Sequence, residues 1–309
     1  MNLTNNIQIG STAYTKINNV LSQYEWYNDY RAMQVNREHY WNTLMQFKPE
    51  LLKSGLSEDQ IHLSSRFSLN AEETVRHILH DLLKQNMIDS IDYPKDEFAV
   101  LTEVIAKNFC HGKYMTYIFP EEARLLYALT YIMKPKTMLF LGSYYGYWAI
   151  WAIMLLKKMG GKAYLIDIDD SVINLARENM EKFELESVVT LVNEDALEFI
   201  AREKIQHDFM VVDPEGPKKG PDPDLLDKAI YYPMVKAAHP YLSTKGIIIC
   251  HNILLNNPIK EDGYFHDKIK YNKDQFIKFL PFMSENYASG VWYNTTEGVG
   301  IFCNKKAGR

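Results

Sequence analysis

Cysteine is scarce in this sequence. The three present, Cys110, Cys250 and Cys303, are far apart and odd in number. They make neither a disulfide framework nor a CxxC metal pair, which points to a reducing, cytoplasmic setting. Long hydrophobic runs are missing too. The longest, around Trp148 to Leu156, is too short to span a bilayer, so no membrane partner is expected. The N-terminal MNLTNNIQIGSTAYTK has no basic start followed by an apolar stretch, so no signal peptide is expected. Positive charge is not in excess: 34 Lys and Arg stand against 39 Asp and Glu, a net charge of −5, which gives no reason to expect a nucleic-acid partner. What is present is globular in character. The 309 residues are 47% hydrophobic and 24% charged, which excludes a disordered, collagen-like or coiled-coil chain. A chain of this length buries a large core in one or two domains.

Two textures divide the chain. Residues 1–100 read as a helical extension, rich in aromatics (Tyr24, Trp26, Tyr27, Tyr30, Tyr40, Trp41, Phe47) and poor in β-branched runs. Ser57 with Gln60, and Asn70 with Glu73, fit capping boxes. Val75, Ile78, Leu79, Leu82 and Leu83 then recur at helical spacing. Ile91–Glu97, with Pro94, reads as a linker. The aromatic density implies a buried face, against the rest of the chain or in a homodimer, or a lid built from Trp26, Tyr30 and Trp41.

Residues 101–309 read as the second unit. From about residue 137 short apolar runs alternate with helical stretches. The strands are expected at Thr137–Leu141, Ala163–Ile168, Val188–Val192, Phe209–Asp213 and Gly246–Cys250. The helices are expected at Tyr147–Lys158, Val172–Phe183, Ala196–Arg202 and Leu225–Ala238. Such alternation builds a parallel α/β sheet with helices on both faces. Tyr287–Tyr293 and Val299–Cys303 read as two more strands joined by a turn. A closing antiparallel hairpin belongs to the Rossmann-like class I methyltransferase sheet rather than to the dinucleotide-binding fold.

The first strand runs into Gly142-Ser143-Tyr144-Tyr145-Gly146. Glycine lets backbone approach a ligand, and a following helix N-terminus offers N–H donors. The dinucleotide pattern G-x-G-x-x-G fails, because its later glycines would fall on Tyr144 and Tyr147. The G-x-x-x-G spacing from Gly142 to Gly146 is the looser pattern for S-adenosylmethionine (SAM). Asp167, followed by Ile168, ends the second strand and can accept from a ribose diol, or cap a helix before Ser171. Asp195, followed by Ala196, follows the third strand. It can accept from an adenine amino group or cap the next helix. All of these fall at the carboxyl edge, where open α/β sheets bind ligands.

On these residues the sequence resembles the SAM- and metal-dependent catechol and caffeoyl-CoA O-methyltransferases over about residues 115–305. Pro120-Glu-Glu-Ala-Arg-Leu-Leu, the Gly142–Tyr147 loop, Ile166–Asp170, Asn193–Leu197, Val211-Val-Asp213-Pro-Glu215, Ile249-Cys-His251-Asn252 and Gly298–Phe302 all carry the resemblance. It implies a SAM site made of Gly142, Ser143, Tyr144, Gly146, Asp167, Ile168, Asp195, Ala196 and Asp213. It also implies a divalent cation on Asp213, the residue at 251 and Asn252. Three positions depart from the family: His251 where an aspartate is usual, Phe140 where an acid is common, and Gly216 where a lysine is usual.

A cation site with a histidine shifts preference from Mg²⁺ toward Mn²⁺, Fe²⁺, Co²⁺ or Zn²⁺. Three roles for His251 stay open: metal ligand, direct base in the absence of metal, or packing at a strand end. The loop Pro214–Pro223 carries Lys218 and Lys219, of which Lys218 is taken as a catalytic candidate beside His251 and Asp213. The expected reaction is O-methylation of a phenol- or catechol-like hydroxyl on a small-molecule acceptor. N-methylation, methylation of a non-aromatic natural product and a silent binding module are the rivals.

Overall fold

The computed structural model describes residues 12–304. The chain begins with seven helices: α1 (Ala13–Leu21), α2 (Glu25–Arg31), α3 (Arg37–Lys53), α4 (Glu58–Ser64), α5 (Ala71–Lys84), α6 (Lys95–Asn108) and α7 (Pro120–Met133). An alternating region follows: β1 (Thr137–Leu141), α8 (Ile150–Met159), β2 (Lys162–Asp167), α9 (Asp170–Lys182), β3 (Val189–Asn193), α10 (Ala196–Glu203), β4 (His207–Val212), α11 (Tyr231–Ala238) and β5 (Leu242–Cys250). Two further helices, α12 (Gly263–Gln275) and α13 (Phe279–Asn286), precede the hairpin β6 (Ser289–Tyr293) and β7 (Val299–Cys303).

The seven strands form one sheet in the order β3-β2-β1-β4-β5-β7-β6. β1 to β5 are parallel, and β7 pairs antiparallel with both β5 and β6. This is the Rossmann-like class I methyltransferase sheet expected above. Side chains alternate across it with period two. Met138, Phe140, Phe209, Val211, Ile247, Ile249, Val299 and Ile301 enter the core under α5 to α9. Leu139, Leu141, Met210, Val212, Ile248, Cys250 and Phe302 enter the core under α10, α11 and α13. Phe140 is therefore a core residue on the first of these faces, 2% exposed.

The N-terminal helices do not stand apart. A third core joins Tyr27, Tyr30, Tyr40 and Trp41 to Phe119, Leu254 and to Phe265 and Ile269 of α12. Tyr30 and Tyr40 stack with ring centroids 4.0 Å apart. The aromatics thus serve as core, and not as a lid. α5 and α6 belong to the core under the sheet, through Val75, Ile78, Leu82, Phe98 and Ile105. The expected linker Ile91–Glu97 runs into α6, whose N-cap is Pro94, and the expected division at residue 100 falls inside that helix. A proline suits a helix start as well as a linker, which is why the two readings diverged.

Local signals explain the helix starts. Ser57 and Gln60 form a complete capping box, and the Asn70 side chain accepts from the Glu73 N–H at 3.0 Å. The expected helix at Leu225–Ala238 is shorter. Two 3-10 turns, Pro223–Leu225 and Asp227–Ile230, precede α11, because Asp227 takes φ +41° and pairs its backbone with Gly216 and Pro217.

Arg66, just after α4, ties the extension to the far end of the chain. It is 3% exposed, and its guanidinium donates to the carbonyls of Thr295 (3.3 Å), Thr296 (3.0 Å) and Asn256 (3.2 Å). Burial lowers its pKa to about 10, so it remains a cation at neutral pH. Replacing Arg66 with Met strands several buried carbonyls, and we expect a loss of about 3 kcal/mol or more in urea unfolding at pH 7. A loss under about 0.5 kcal/mol would show that this clamp does not hold the turn.

Candidate active site

The sheet order reverses between β1 and β4, so the loops leaving these two strands diverge and open a crevice. The β1 loop lies on the β4 loop at Gly142. This residue has φ +73°, and a Cβ there would sit 2.5 Å from the Pro214 Cα. Only glycine satisfies both the left-handed backbone and that approach. Gly146, at φ +81°, answers to packing instead, since its Cβ would meet Met180 and Leu165 at 3.2 and 3.3 Å.

A cavity of about 470 Å³ opens here, lined by Gly142, Tyr144, Asp167, Ile168, Asp213 and His251 among others. Asp167 closes the β1 loop from β2: its Oδ2 accepts from the Tyr144 N–H at 2.8 Å and its Oδ1 from the Asp169 N–H at 3.1 Å. Burial raises the Asp167 pKa, opposed by these backbone donors. Each oxygen keeps further acceptor capacity toward the cavity. Ile168 is 72% exposed, an apolar side chain on the cavity lip. Ser143 lines the adjoining small hollow with Gly142, Tyr144 and Asp213.

Asp195 and Ala196 fall elsewhere in role. Asp195 caps α10, accepting from Leu197 N–H at 2.7 Å and Glu198 N–H at 3.3 Å. Ala196 is buried in the core under α10. Neither lines the cavity. The capping alternative for Asp195 is the one seen; Asp169, rather than Asp167, caps α9.

Beyond the ends of β4 and β5 lies a buried charge cluster. His251 is 1% exposed. Its Nδ1 is 3.1 Å from Asp213 Oδ2 and its Nε2 is 3.0 Å from Glu122 Oε2. The Trp148 ring packs on it, centroids 4.8 Å apart. Burial alone would lower the imidazole pKa, but the two carboxylates outweigh it and raise it to about 10. His251 is thus an imidazolium at neutral pH, donating from both nitrogens. Asp213 is held below the usual carboxylate range: burial acts upward, but the imidazolium and the Lys228 ammonium prevail. The Asn252 amide donates to Asp213 Oδ1 at 2.8 Å, Lys228 Nζ lies 3.6 Å from the same oxygen, and the Tyr231 hydroxyl donates to the His251 carbonyl at 2.7 Å.

This geometry corrects two expectations. His251 offers no lone pair to a metal, because both nitrogens point at carboxylates. Asn252 turns its amide nitrogen, not its oxygen, toward Asp213. The donor set therefore does not fit the implied divalent cation, and among the described residues no group of three or more His, Cys, Asp or Glu side chains is disposed to hold one. Nor is His251 poised as a base, since a group with a pKa near 10 keeps its proton at pH 7. Lys218 also differs from expectation. It is tied to Glu215 (2.6 Å) and Asp227 (3.0 Å), away from Asp213. The lysine that reaches Asp213 is Lys228.

Glu122 and Lys228 were not singled out from the sequence. Glu122 sits at the third position of α7, a capping position by spacing, and accepts from the Phe119 N–H at 3.0 Å. Nothing local marks its partner, which lies 129 residues away.

Residues 139–253, from β1 through the loop after β5, match the family model described as a methyltransferase domain. No curated protein sequence matches the chain. Among solved structures, an O-methyltransferase from Bacillus cereus in complex with S-adenosylhomocysteine (SAH) is similar at 17% identity and TM-score 0.48, covering 76% of this chain and 99% of that one. An SAH-bound methyltransferase from Podospora anserina is similar at 16% identity and TM-score 0.45, covering 69% and 97%. A SAM-bound O-methyltransferase from Streptomyces achromogenes involved in tomaymycin synthesis is similar at 14% identity and TM-score 0.46, covering 60% and 80%.

Removing the imidazolium leaves Glu122 buried without a counter-charge. His251→Ala should cost about 3–5 kcal/mol at pH 7 in urea unfolding. The folded pKa lies above the unfolded one, so the stabilisation is complete below about pH 6.5, declines above it and is gone past about pH 10. A parent protein whose stability stays flat from pH 6.5 to 10 would contradict the imidazolium assignment.

Proposed function

We propose that the chain transfers a methyl group from SAM to a hydroxyl of a small-molecule acceptor. One observation carries this reading: Gly142, Tyr144, Asp167, Ile168 and Asp213 converge on one cavity at the switch point of a sheet whose β1 to β5 segment matches a methyltransferase domain. Bound there, SAM supplies an electrophilic methyl on a sulfonium sulfur.

The chain's residues bind and orient. Gly142 lets the β1 loop close onto Pro214 and so sets the backbone that lines the cavity. Asp167, fixed by two backbone donors, has acceptor capacity left for a ribose diol. Ile168 gives an apolar wall to a flat base. Asp213 places a fixed negative charge at the mouth, opposite a sulfonium. Methyl transfer from sulfur needs alignment more than covalent help, so a rigid mouth is the main requirement. The His251 imidazolium, the Asn252 amide and Lys228 hold Asp213 in one position. No step is assigned to a metal, because the donor set does not fit one.

Calorimetric titration tests the reading. SAM and SAH should bind with one site per chain, and NADH should not. Asp167→Asn should weaken SAH about tenfold or more, the scale of a lost hydrogen bond to a charged group. Equal binding of SAH by parent and variant, or binding of NADH in place of SAM, would count against it.

A further inference from the structure

A second cavity, of about 340 Å³, lies beside the first and shares Tyr117, Glu215, Lys228 and Asn252 with it. One wall comes from the N-terminal extension, through Asp59 of α4, and another from α12, through Lys268 and Tyr271. We propose that this second cavity is the acceptor site, and that the Glu297 carboxylate receives a hydrogen bond from a neutral hydroxyl of the acceptor. The proposal rests on the methyltransferase reading and adds to it the side of the cofactor cavity on which the acceptor sits and the group that selects it.

The argument starts from the charges lining the cavity. Lys268 is bonded to Asp59 at 2.9 Å. Lys218 holds Glu215 and Asp227, and the Tyr271 hydroxyl donates to Asp227 at 2.7 Å. Lys228 donates to the Pro214 carbonyl at 3.1 Å and faces Asp213. Asn252 is spent on Asp213. Among the described residues lining this cavity, Glu297 is the ionisable group whose side chain has no hydrogen bond or ion pair within the protein. It is only 3% exposed. Its carboxylate opens onto the cavity with no protein donor, so its hydrogen bonds come from whatever the cavity holds.

Its place in the fold is fixed. β7 runs antiparallel to β5, so the turn before Val299 lies at the same edge as the ends of the parallel strands. The Glu297 N–H donates to Glu122 Oε1 at 2.9 Å, and a Cβ on the next residue, Gly298, would lie 2.4 Å from the Ile253 carbonyl oxygen. The backbone that carries Glu297 is therefore held against the β5 exit, next to Asn252.

The chemistry of the occupant follows from what surrounds Glu297. Lys268 from α12, His251 from the β5 exit and Arg66 after α4 act as cations on it. Asp59 from α4 and Glu122 from α7 act as anions. These oppose one another, so the site has no net demand for a cation. Burial raises the Glu297 carboxyl to about 7, and the ionised form is the stronger acceptor. A neutral hydroxyl meets this need without bringing a further charge into a cavity already populated by three lysines.

The test uses saturation-transfer NMR on the full chain, with and without SAH. Catechol, 4-methylphenol and cyclohexane-1,2-diol are the hydroxyl probes, toluene the probe without a donor, and benzylamine the cationic one. The hydroxyl probes should bind, more tightly at pH 8 than at pH 6, and Glu297→Gln should weaken them about tenfold and flatten that pH dependence. SAH affinity should be unchanged in the variant, which also reports that it folds. In the parent, 13C-labelled at the glutamate carboxyl, Glu121 and Glu297 should both titrate near pH 7. Only one of the two signals should move with the hydroxyl probes. Failure of SAH to bind the parent would count against the methyltransferase reading alone, because the probes are also titrated without SAH. No hydroxyl probe bound, equal binding by Glu297→Gln, benzylamine alone bound, or no glutamate signal moved would each overturn the acceptor site.

Discussion

Glu122 has no access to solvent, and each of its two oxygens is held by two donors. Oε2 takes the Phe119 N–H and His251 Nε2; Oε1 takes the Thr295 hydroxyl and the Glu297 N–H. One side chain thereby joins the start of α7, the exit of β5 and the turn before β7. A buried carboxylate survives only if it is fully bonded and its charge is opposed. His251 does both, and the same ring fixes Asp213 at the end of β4. Much of the mouth is thus set by one buried anion–cation–anion row, Glu122–His251–Asp213, with Trp148 packed over it.

That row gives a reason for the departure from the resembled family. The histidine at position 251, where the resembled family has an aspartate, puts a positive charge between Glu122 and Asp213. The fixed imidazolium lies between two carboxylates, and Lys228 approaches from the side. The charges at the mouth are thus supplied and balanced by protein groups.

Much of the α/β half was legible from the chain. Thr137–Leu141 and Val299–Cys303 stand as strands where the apolar runs placed them, and the other strands shifted by only a few residues. Short apolar runs between glycine and charge are strong local signals. The Gly142 loop and Asp167 were legible because spacing and position at a strand end carry their meaning. The rest depended on distance. His251 showed its identity but not its partners, because Glu122 comes from a helix far back in the sequence. Asp195 was read first as an adenine acceptor and second as a helix cap, and the cap is visible because its backbone donors lie within three residues. Glu297 had a signal that could have been used: it lies in the turn before an antiparallel last strand, which returns the chain to the ligand edge. α12 and α13 lacked a clear apolar stripe, and α12 is polar on much of its surface.

Arg66 and Asp59 belong to an N-terminal region that contributes no strand to the sheet, yet one anchors the turn bearing Glu297 and the other forms a wall beside it. The N-terminal helices thus reach the carboxyl edge of the sheet, where the second cavity has Asp59 on one side and Lys268 and Glu297 on the other. A change at Asp59 or Arg66 therefore acts on the second cavity or on the turn bearing Glu297 while leaving the glycine loop untouched.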